Sequence, residues 1–466
     1  MAARSLTARA ALPRQAESGA HCCLCLTKGA GTLRIAIVGT GYVGLVSGTC
    51  LAELGHLVTC IDRDAAKIAR LLAGEVPIYE PGLDRLIGVN VAAGRLTFAS
   101  DLGAGIAGAE AIFIAVGTPS RPDDGRADLS YVLGAASEIG RNLSDYAVIV
   151  TKSTVPVGTN RKVAEAIRSA NPAAEFDIAS NPEFLREGAA IADFMAPDRV
   201  VIGTETDRSR KVMAELYAPL AARGCEMVDT GIESAELIKY ASNAFLATKI
   251  TFINEIASLC ERVGADVMSV SRGMGLDGRI GPKFLQPGPG YGGSCFPKDS
   301  KALAHIGRDV NVPLQIVEAV IGANDGVKRR MIEKLEALCD GDFVGKRIAV
   351  LGVTFKPDTD DMREAPSLTI VPALIAAGAT VRIMDPQGQH EGAALLPGAT
   401  WHDDPYQAAE GADLVVILTE WAVFRDLDLA RLARGMAKPR IADLRNVHAP
   451  EKLREAGFDR IAGIGR

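Results

Sequence analysis

Cysteine is scarce in this chain: nine in 466 residues, an odd count. A disulfide framework needs a denser, paired set, so the count points to a reducing compartment, the cytoplasm. Cys22, Cys23 and Cys25 cluster near the start without a second Cys pair or a spaced His, and no metal site is expected. Aromatic residues make up only 5%. An excess of charge is also lacking. Against 57 acidic side chains stand 51 basic ones, a net charge of −6. That balance gives no electrostatic reason to expect nucleic acid or an anionic membrane as partner. No hydrophobic run reads as a membrane span. The charge-free run Ile35–Ala52 has the length, but Gly39, Gly41, Gly44 and Gly48 suit a strand–turn–helix better. Apolar residues are plentiful at 48%, which excludes a disordered chain, and the 48 glycines suggest many tight turns. The length predicts roughly two to four domains.

Residues 1–31 stand apart. They carry Arg4, Arg9, Arg14 and Lys28 against Glu17 alone and are rich in Ala. This composition fits a targeting segment, a disordered tail or a misassigned start, and does not choose among them.

From Leu33 onward, β and α patterns alternate. Strands are predicted at Leu33–Val38, Leu57–Ile61, Ala111–Val116, Ala147–Thr151, Asp177–Ala179 and Arg199–Ile202, most of them separated by helical stretches. Parallel strands need crossover connections, so the pattern predicts a parallel, doubly wound sheet. Between Glu233 and Val263 there is neither Pro nor Gly. Leu237, Ala241, Ala244, Phe245, Phe252, Ile256 and Leu259 recur there at helical spacing. Such a helix would run for roughly 45 Å, as a spine between domains or an oligomer interface. The α/β rhythm returns with strands at Arg347–Leu351, Thr380–Met384, Leu414–Leu418 and Arg440–Ala442. The order strand, helix, Gly378, strand, Asp385 repeats the order ending at Asp62, without a second glycine loop. The fold class expected is α/β: two Rossmann-like doubly wound parallel-sheet domains joined by a long central helix. The expected divisions are a leader at 1–31, a first nucleotide domain at 32–231, a helical dimerisation domain at 232–342 and a second nucleotide domain at 343–466.

Four motifs carry chemistry. Gly39-Thr40-Gly41-Tyr42-Val43-Gly44 follows a strand and opens a helix. Its glycines allow the turn, the approach of a pyrophosphate and close helix packing, and the helix N-terminus favours the phosphate charge. Asp62 closes the next strand, where an acid accepts from a ribose 2′-OH and repels a 2′-phosphate, so NAD is expected rather than NADP. Gly290-Tyr291-Gly292-Gly293-Ser294-Cys295-Phe296-Pro297-Lys298-Asp299 sets a thiol just before a helix running to about His305. The glycines would let a substrate approach, and the helix end with Lys298 would favour the thiolate. Taken alone, Cys295 also reads as a small buried apolar residue. Beside NAD a thiol has a use: it adds to an aldehyde and permits a second hydride to leave. Lys239 and Asn243 lie four apart on one helix face and could donate to a developing alkoxide. Lys152-Ser153-Thr154-Val155-Pro156 and Asn181-Pro182-Glu183-Phe184-Leu185-Arg186-Glu187 both follow strands, where open parallel sheets bind ligands.

These motifs, in this order, resemble the UDP-glucose/GDP-mannose dehydrogenase family from about Leu33 to Asn446. Gly278-Arg279-Ile280-Gly281-Pro282-Lys283-Phe284-Leu285 and the cysteine run are most similar to the bacterial branch that takes UDP-glucose. The N-acetyl-sugar branch would place a His where Ser294 stands. The resemblance implies a two-step oxidation of the sugar C6 alcohol to the acid by two NAD molecules. It assigns Cys295 as nucleophile, Lys239 and Asn243 to the reacting oxygen, Asp299 to proton handling, and Glu183 and Thr154 to acid–base work and water placement. It assigns NAD contacts to Gly39 through Gly44, Asp62, Lys67, Thr118, Pro119, Thr154, Glu187, Lys298 and Arg363. Substrate contacts fall on Glu183, Phe184, Leu185, Lys239, Asn243, Phe284, Leu285, Gln286, Gly288, Gly290, Tyr291, Gly292, Phe355, Lys356 and Arg445, with Arg279 reaching across a homodimer interface. A non-catalytic NAD sensor and an epimerase that retains NAD share the glycine loop, but a sensor has no need of the Cys295 run and an epimerase releases no NADH.

Overall fold

The computed structural model describes residues 31–121 and 123–466; the expectations for the leader and for Cys22, Cys23 and Cys25 lie outside them. The first sheet contains β1 Arg34–Val38, β2 Leu57–Ile61, β3 Leu96–Ala99, β4 Ala111–Ile114, β5 Ala147–Thr151, β6 Phe176–Ser180, β7 Arg199–Thr204 and β8 Glu226–Thr230. Their order across the sheet is β3-β2-β1-β4-β5-β6-β7-β8. Alternation along β1 explains why it is apolar throughout. Ile35 and Ile37 pack with Leu45, Leu51 and Phe113 on one face, while Ala36 and Val38 pack with Ile112, Ile114 and Ile139 on the other. Each such buried Ile or Leu contributes about 1.5–3 kcal/mol relative to exposure.

The sheet is the parallel, Rossmann-like one expected from the sequence, save for one strand pair. β7 runs antiparallel to β6, with Ala179 opposite Thr204 and Ser180 opposite Gly203. An antiparallel return needs no crossover. The connection between β6 and β7, with only the short helix Ala190–Met195 in it, therefore stays at the carboxyl end of the central strands. That end is where Glu183 and Glu187 stand.

The second sheet contains β9 Arg347–Leu351, β10 Thr380–Met384, β11 Thr400–Trp401, β12 Leu414–Ile417, β13 Arg440–Asp443 and β14 Arg460–Ala462, in the order β11-β10-β9-β12-β13-β14. Every neighbouring pair is parallel. Ile348 and Val350 face one apolar cluster and Ala349 and Leu351 the other, so β9 repeats the logic of β1.

Between the sheets runs the central helix Ile232–Val263, 32 residues long and stopped by Gly264 in the left-handed region at φ 73°. Gly203 lets its first turn lie against β7, since an added Cβ there would meet Ala235 Cβ at 2.7 Å. One stripe of the helix, with Phe245, Phe252 and Leu259, is exposed in the single chain. The helix after the cysteine run spans Phe296–Asp309, four residues beyond the predicted end near His305.

Candidate active site

A cleft of about 1770 Å3 opens where the first sheet, the central helix and the second sheet meet. Its walls are the loops after β1, β4, β5 and β6, the central helix around Lys239 and Asn243, the run ending at Cys295, and Phe355, Lys356 and Arg363. β1 and β4 are neighbours, yet their connections leave in opposite directions along the sheet, which is the switch point where such folds bind ligands.

At this point the glycine loop forms a cradle. Gly39 has φ 105°, and an added Cβ would meet the Ala115 carbonyl oxygen at 2.7 Å. A Cβ on Gly44 would collide with the Gly39 carbonyl oxygen. The helix Tyr42–Glu53 begins at Gly41 with no side-chain cap, which leaves its first N–H groups for a ligand. Asp62 accepts from Thr40 N (2.9 Å), Thr40 Oγ1 (2.7 Å) and Lys67 Nζ (3.2 Å). Burial pushes this carboxyl up, but the hydrogen bonds from Asp64, Thr40 and Lys67 outweigh it and hold it below its ordinary value. A bare helix end, a loop open only to glycine and a retained carboxylate on the next strand fit a dinucleotide.

The second sheet uses the corresponding acid differently. Asp385, after β10, accepts from Val353 N (2.6 Å), Thr354 N (3.1 Å), Gln387 N (3.0 Å) and Gly388 N (2.8 Å). Its oxygens are committed to its own loops, in line with the missing glycine motif.

The chemistry-bearing groups converge deeper in the cleft. Lys239 Nζ lies 2.8 Å from Glu183 Oε1, and both side chains are buried. Burial opposes the Lys239 charge, but Glu183, Cys295 and Asp299 outweigh it and raise its pKa. For Glu183 burial is again the largest influence; the Lys239 charge and hydrogen bond, the Leu185 N–H and Lys152 overcome it and lower the pKa. Asn243 Nδ2 donates to Asp299 Oδ2 at 2.6 Å, and Lys298 Nζ lies 2.5 Å from Asp299 Oδ1. Asp299 is fully buried behind these two donors. Cys295 caps its helix, and its backbone oxygen accepts from Asp299 N at 2.8 Å.

Two expectations about the cysteine run need correction. The thiolate is not favoured in this state: burial pushes the Cys295 thiol up, Glu183 and Asp299 add to that, and Lys239 opposes it without prevailing. Lys298 serves Asp299 rather than the thiol. The glycines before Cys295 mainly make room for the second sheet's loops. An added Cβ on Gly292 would meet the Glu364 carbonyl oxygen at 2.5 Å, and one on Gly293 the Phe355 ring at 2.7 Å. Gly293 N also donates to the Arg363 carbonyl oxygen at 2.8 Å.

Other expected residues divide into two groups. Gly41, Tyr42, Val43, Thr118, Pro119, Thr154, Phe184, Leu185, Glu187, Phe284, Gly292, Lys298, Phe355, Lys356 and Arg363 line the cleft. Thr118 Oγ1 donates to the Thr154 carbonyl oxygen at 3.0 Å and joins the loops after β4 and β5. Glu187 takes hydrogen bonds from Arg363 (3.2 Å), Thr359 (3.2 Å) and Ser294 (3.3 Å), so two assigned cofactor contacts pair with one another across the cleft. Outside the lining stand Leu285 and Tyr291, both buried, Gln286, exposed, and Gly290, packed against Asn324 and Lys328. Gly288 lies under the Arg445 guanidinium, which is bound to the Leu418 (2.7 Å) and Phe355 (3.1 Å) carbonyl oxygens. Arg279 is 90% exposed and bound to Asp277, away from the cleft of its own chain.

Sequence reasoning missed two buried groups. Glu80 accepts from Tyr42 Oη, from Gly188 N at 2.7 Å and from Ala190 N at 2.8 Å, and so ties the glycine loop to the Glu187 loop. Lys152 is buried, and its charge acts on Glu183. Tyr79-Glu80-Pro81-Gly82 is an ordinary turn sequence, with no local sign of such a contact. Lys152 stands in a quoted motif, and its place directly after an apolar strand was the available signal.

Comparison with known proteins agrees with this geometry. The UDP-glucose/GDP-mannose dehydrogenase family models match the chain in three parts: the NAD binding domain over residues 33–221, the central domain over 233–326 and the UDP binding domain over 349–450. The UDP-glucose 6-dehydrogenase of Rhizobium meliloti (strain 1021) is 54% identical over 436 residues, covering 93% of this chain and 100% of that protein. That of Pseudomonas aeruginosa is 46% identical over 444 residues, covering 93% and 98%. Among solved structures, a UDP-glucose dehydrogenase from Pyrobaculum islandicum superposes with a TM-score of 0.87 at 38% identity, covering 94% of this chain and 99% of that one. A matched cradle, central helix and second sheet, together with relatives aligned along almost their whole length, place the chain in the UDP-glucose/GDP-mannose dehydrogenase family.

Proposed function

We propose that the chain oxidises UDP-glucose at C6 to UDP-glucuronate, with one water and two NAD consumed and two NADH released. The observation that supports this reading most is the convergence of Cys295, Lys239, Asn243 and Glu183 in one cleft beside the glycine cradle. NAD, when bound, supplies the hydride acceptor for both oxidations. Gly39 through Gly44 and Asp62 hold it, with Lys67, Thr118, Pro119, Thr154, Glu187, Lys298 and Arg363 around it.

The charged Lys239 and the Asn243 amide donate to the C6 oxygen as negative charge develops there. The first proton leaves through Lys239, Asp299 or a bound water; Lys239, held charged by Glu183, is better suited to the oxyanion than to taking a proton. At the aldehyde stage the Cys295 Sγ–C6 bond forms and the thiol proton passes to oxygen, giving a thiohemiacetal. Loss of the second hydride and the hydroxyl proton leaves a thioester. Thr154 and Glu183 place a water, Glu183 takes its proton, the C–S bond breaks and the thiol is restored. Desolvation, with Glu183 and Asp299 nearby, raises the thiol's pKa and so favours its protonated form before the aldehyde forms.

The remaining assigned residues form the sugar-nucleotide side. Phe184, Leu185, Phe284 and Gly292 line the sugar end; Leu285, Gln286, Gly288, Gly290 and Tyr291 shape the loop behind it; Phe355, Lys356 and Arg445 serve the nucleotide. A homodimer across the Phe245, Phe252 and Leu259 stripe would cover that apolar face and bring Arg279 to the partner's site. The division at 32–231, 232–342 and 343–466 follows the same roles. Among the described residues no helix is long and apolar enough to cross a membrane; the sparse cysteines support a cytoplasmic setting.

Reduced-nicotinamide absorbance with UDP-glucose, GDP-mannose and UDP-N-acetylmannosamine tests the reading. UDP-glucose is expected to give the highest kcat/KM. A preference for either other sugar overturns the substrate, and no NADH with any of them overturns the activity.

A further inference from the structure

Within reach of the charges of the Glu183–Lys239 pair is a second buried cation. Lys152 follows β5 directly, and its Nζ donates to Asn181 Oδ1 at 3.0 Å. The ammonium also lies 5.8 Å from the centre of the Phe194 ring. Asn181 is fixed in turn. Its Nδ2 donates to the Val201 carbonyl oxygen at 2.8 Å, and its Oδ1 accepts from Tyr217 Oη at 2.5 Å. Lys152, Asn181 and Tyr217 are all buried. An ammonium out of water, bonded to an amide and not to a carboxylate, is an expensive arrangement to retain for packing alone. Burial lowers its pKa to about 8.

The charges around Glu183 suggest a use. Lys239 faces it from the central helix, Lys152 from the end of β5, and the Leu185 N–H from its own loop. Cys295, at the start of its helix, faces Glu183 and Lys239, and Asp299, one turn on, faces Cys295 and Lys239. In the proposed reaction Lys239 must turn its charge toward the C6 oxygen. Glu183 then loses its nearest cation while still buried. A buried carboxylate left unpaired takes up a proton, and a protonated Glu183 cannot accept one from the hydrolytic water.

We propose that Lys152 is a positioning residue for the oxidation, the cation that keeps Glu183 ionised when Lys239 turns to the substrate. This rests on the proposed function. It acts through Glu183 and the Asn181 loop and does not touch the substrate.

Lys152→Met keeps the stem and removes the charge; Lys152→Arg keeps the charge. For the Met variant, NAD affinity stays within about twofold, the acidic limb of the kcat profile moves up by about one pH unit or more, and kcat on that limb falls about tenfold. Hydrolysis becomes slow, so the thioester adduct on Cys295 accumulates and is read by intact-protein mass after a rapid quench. The Arg variant returns the limb toward its wild-type position. If the Met variant does not fold, Asn181→Asp sets a carboxylate on the Lys152 ammonium and is expected to give the same upward shift. A wild-type pH profile with no adduct in the Met variant overturns the inference, as does an equal loss at every pH in both Lys152 variants; for Asn181→Asp an unshifted limb does so. Failure of the wild type to make a second NADH overturns the proposed function instead, and the two failures are distinguishable.

Discussion

At the scale of single residues, the charges that face the Cys295 end of the cleft decide what the site can do. The Lys239–Glu183 contact of 2.8 Å is buried, so each group sets the other's state. Lys239→Ala is expected to lower kcat by about a hundredfold, the scale of losing one preorganised donor, with a much smaller change in UDP-glucose affinity. Measured kcat and Kd separate the two; a rise in KM alone would make Lys239 a binding residue. The variant also strands Glu183 without its ion-pair partner, so its Tm is expected to fall. At this scale the sequence was only partly legible. Cys295, Lys239 and Asn243 stand in motifs whose spacing suggests a thiol at a helix start and two donors on one face. Which way the thiol's pKa moves depends on groups brought from distant segments. Asp299 stands next to Lys298 in sequence, but Glu183 comes from a different loop, and local spacing cannot give its burial or its sign.

At the scale of elements, the glycine loop carries the most. Gly44 sits where a Cβ would strike the Gly39 carbonyl oxygen. Gly44→Ala is expected to destabilise the protein by about 1–3 kcal/mol, the usual range for overpacking, and to weaken NAD binding; denaturant unfolding and NAD titration read the two effects. Asp62, at the end of β2, is expected to favour NAD over NADP by about tenfold or more in kcat/KM, with Asp62→Ala narrowing the ratio. Comparable wild-type values for the two cofactors would remove that role. Most strands were legible because both faces of a central parallel strand are buried and read as continuous apolar runs. The missed ones lie at sheet edges. β8, Glu226–Thr230, has only two apolar residues, Met227 and Val228, and no fully buried one, and β11 has two residues. The reversal of β7 was invisible for another reason: a strand's direction is set by where its connection lies, not by its own composition.

At the scale of the whole molecule, the cleft depends on two sheets held in register by few groups. Gly292 and Gly293 allow the close approach, and Glu187 reaches Arg363 and Thr359 across it. Burial, with the Asp361 carboxylate nearby, raises the Glu187 carboxyl to about 7 from an ordinary 4.5. A carboxyl raised on folding binds its proton more tightly in the folded state. Its contribution is therefore complete below the unfolded value and is lost as pH rises from about 4.5 to about 7. Glu187→Gln is expected to be no more stable than wild type at pH 4.5 and to gain on it by pH 8, read as the difference in Tm. A pH-independent difference would contradict the assignment. The exposed stripe of the central helix belongs to this scale too, since a single chain leaves Phe245 and Phe252 in water.

In the proposed reaction one cysteine carries the sugar between two oxidations in a single cleft. Its most direct test counts NADH against UDP-glucose consumed, for the wild type and for Cys295→Ala, with NAD binding checked in both. Two NADH per UDP-glucose and UDP-glucuronate are expected from the wild type, and no net acid from Cys295→Ala with NAD affinity retained. Two NADH per sugar from Cys295→Ala would contradict it and leave Cys295 as a packed side chain at the start of a helix.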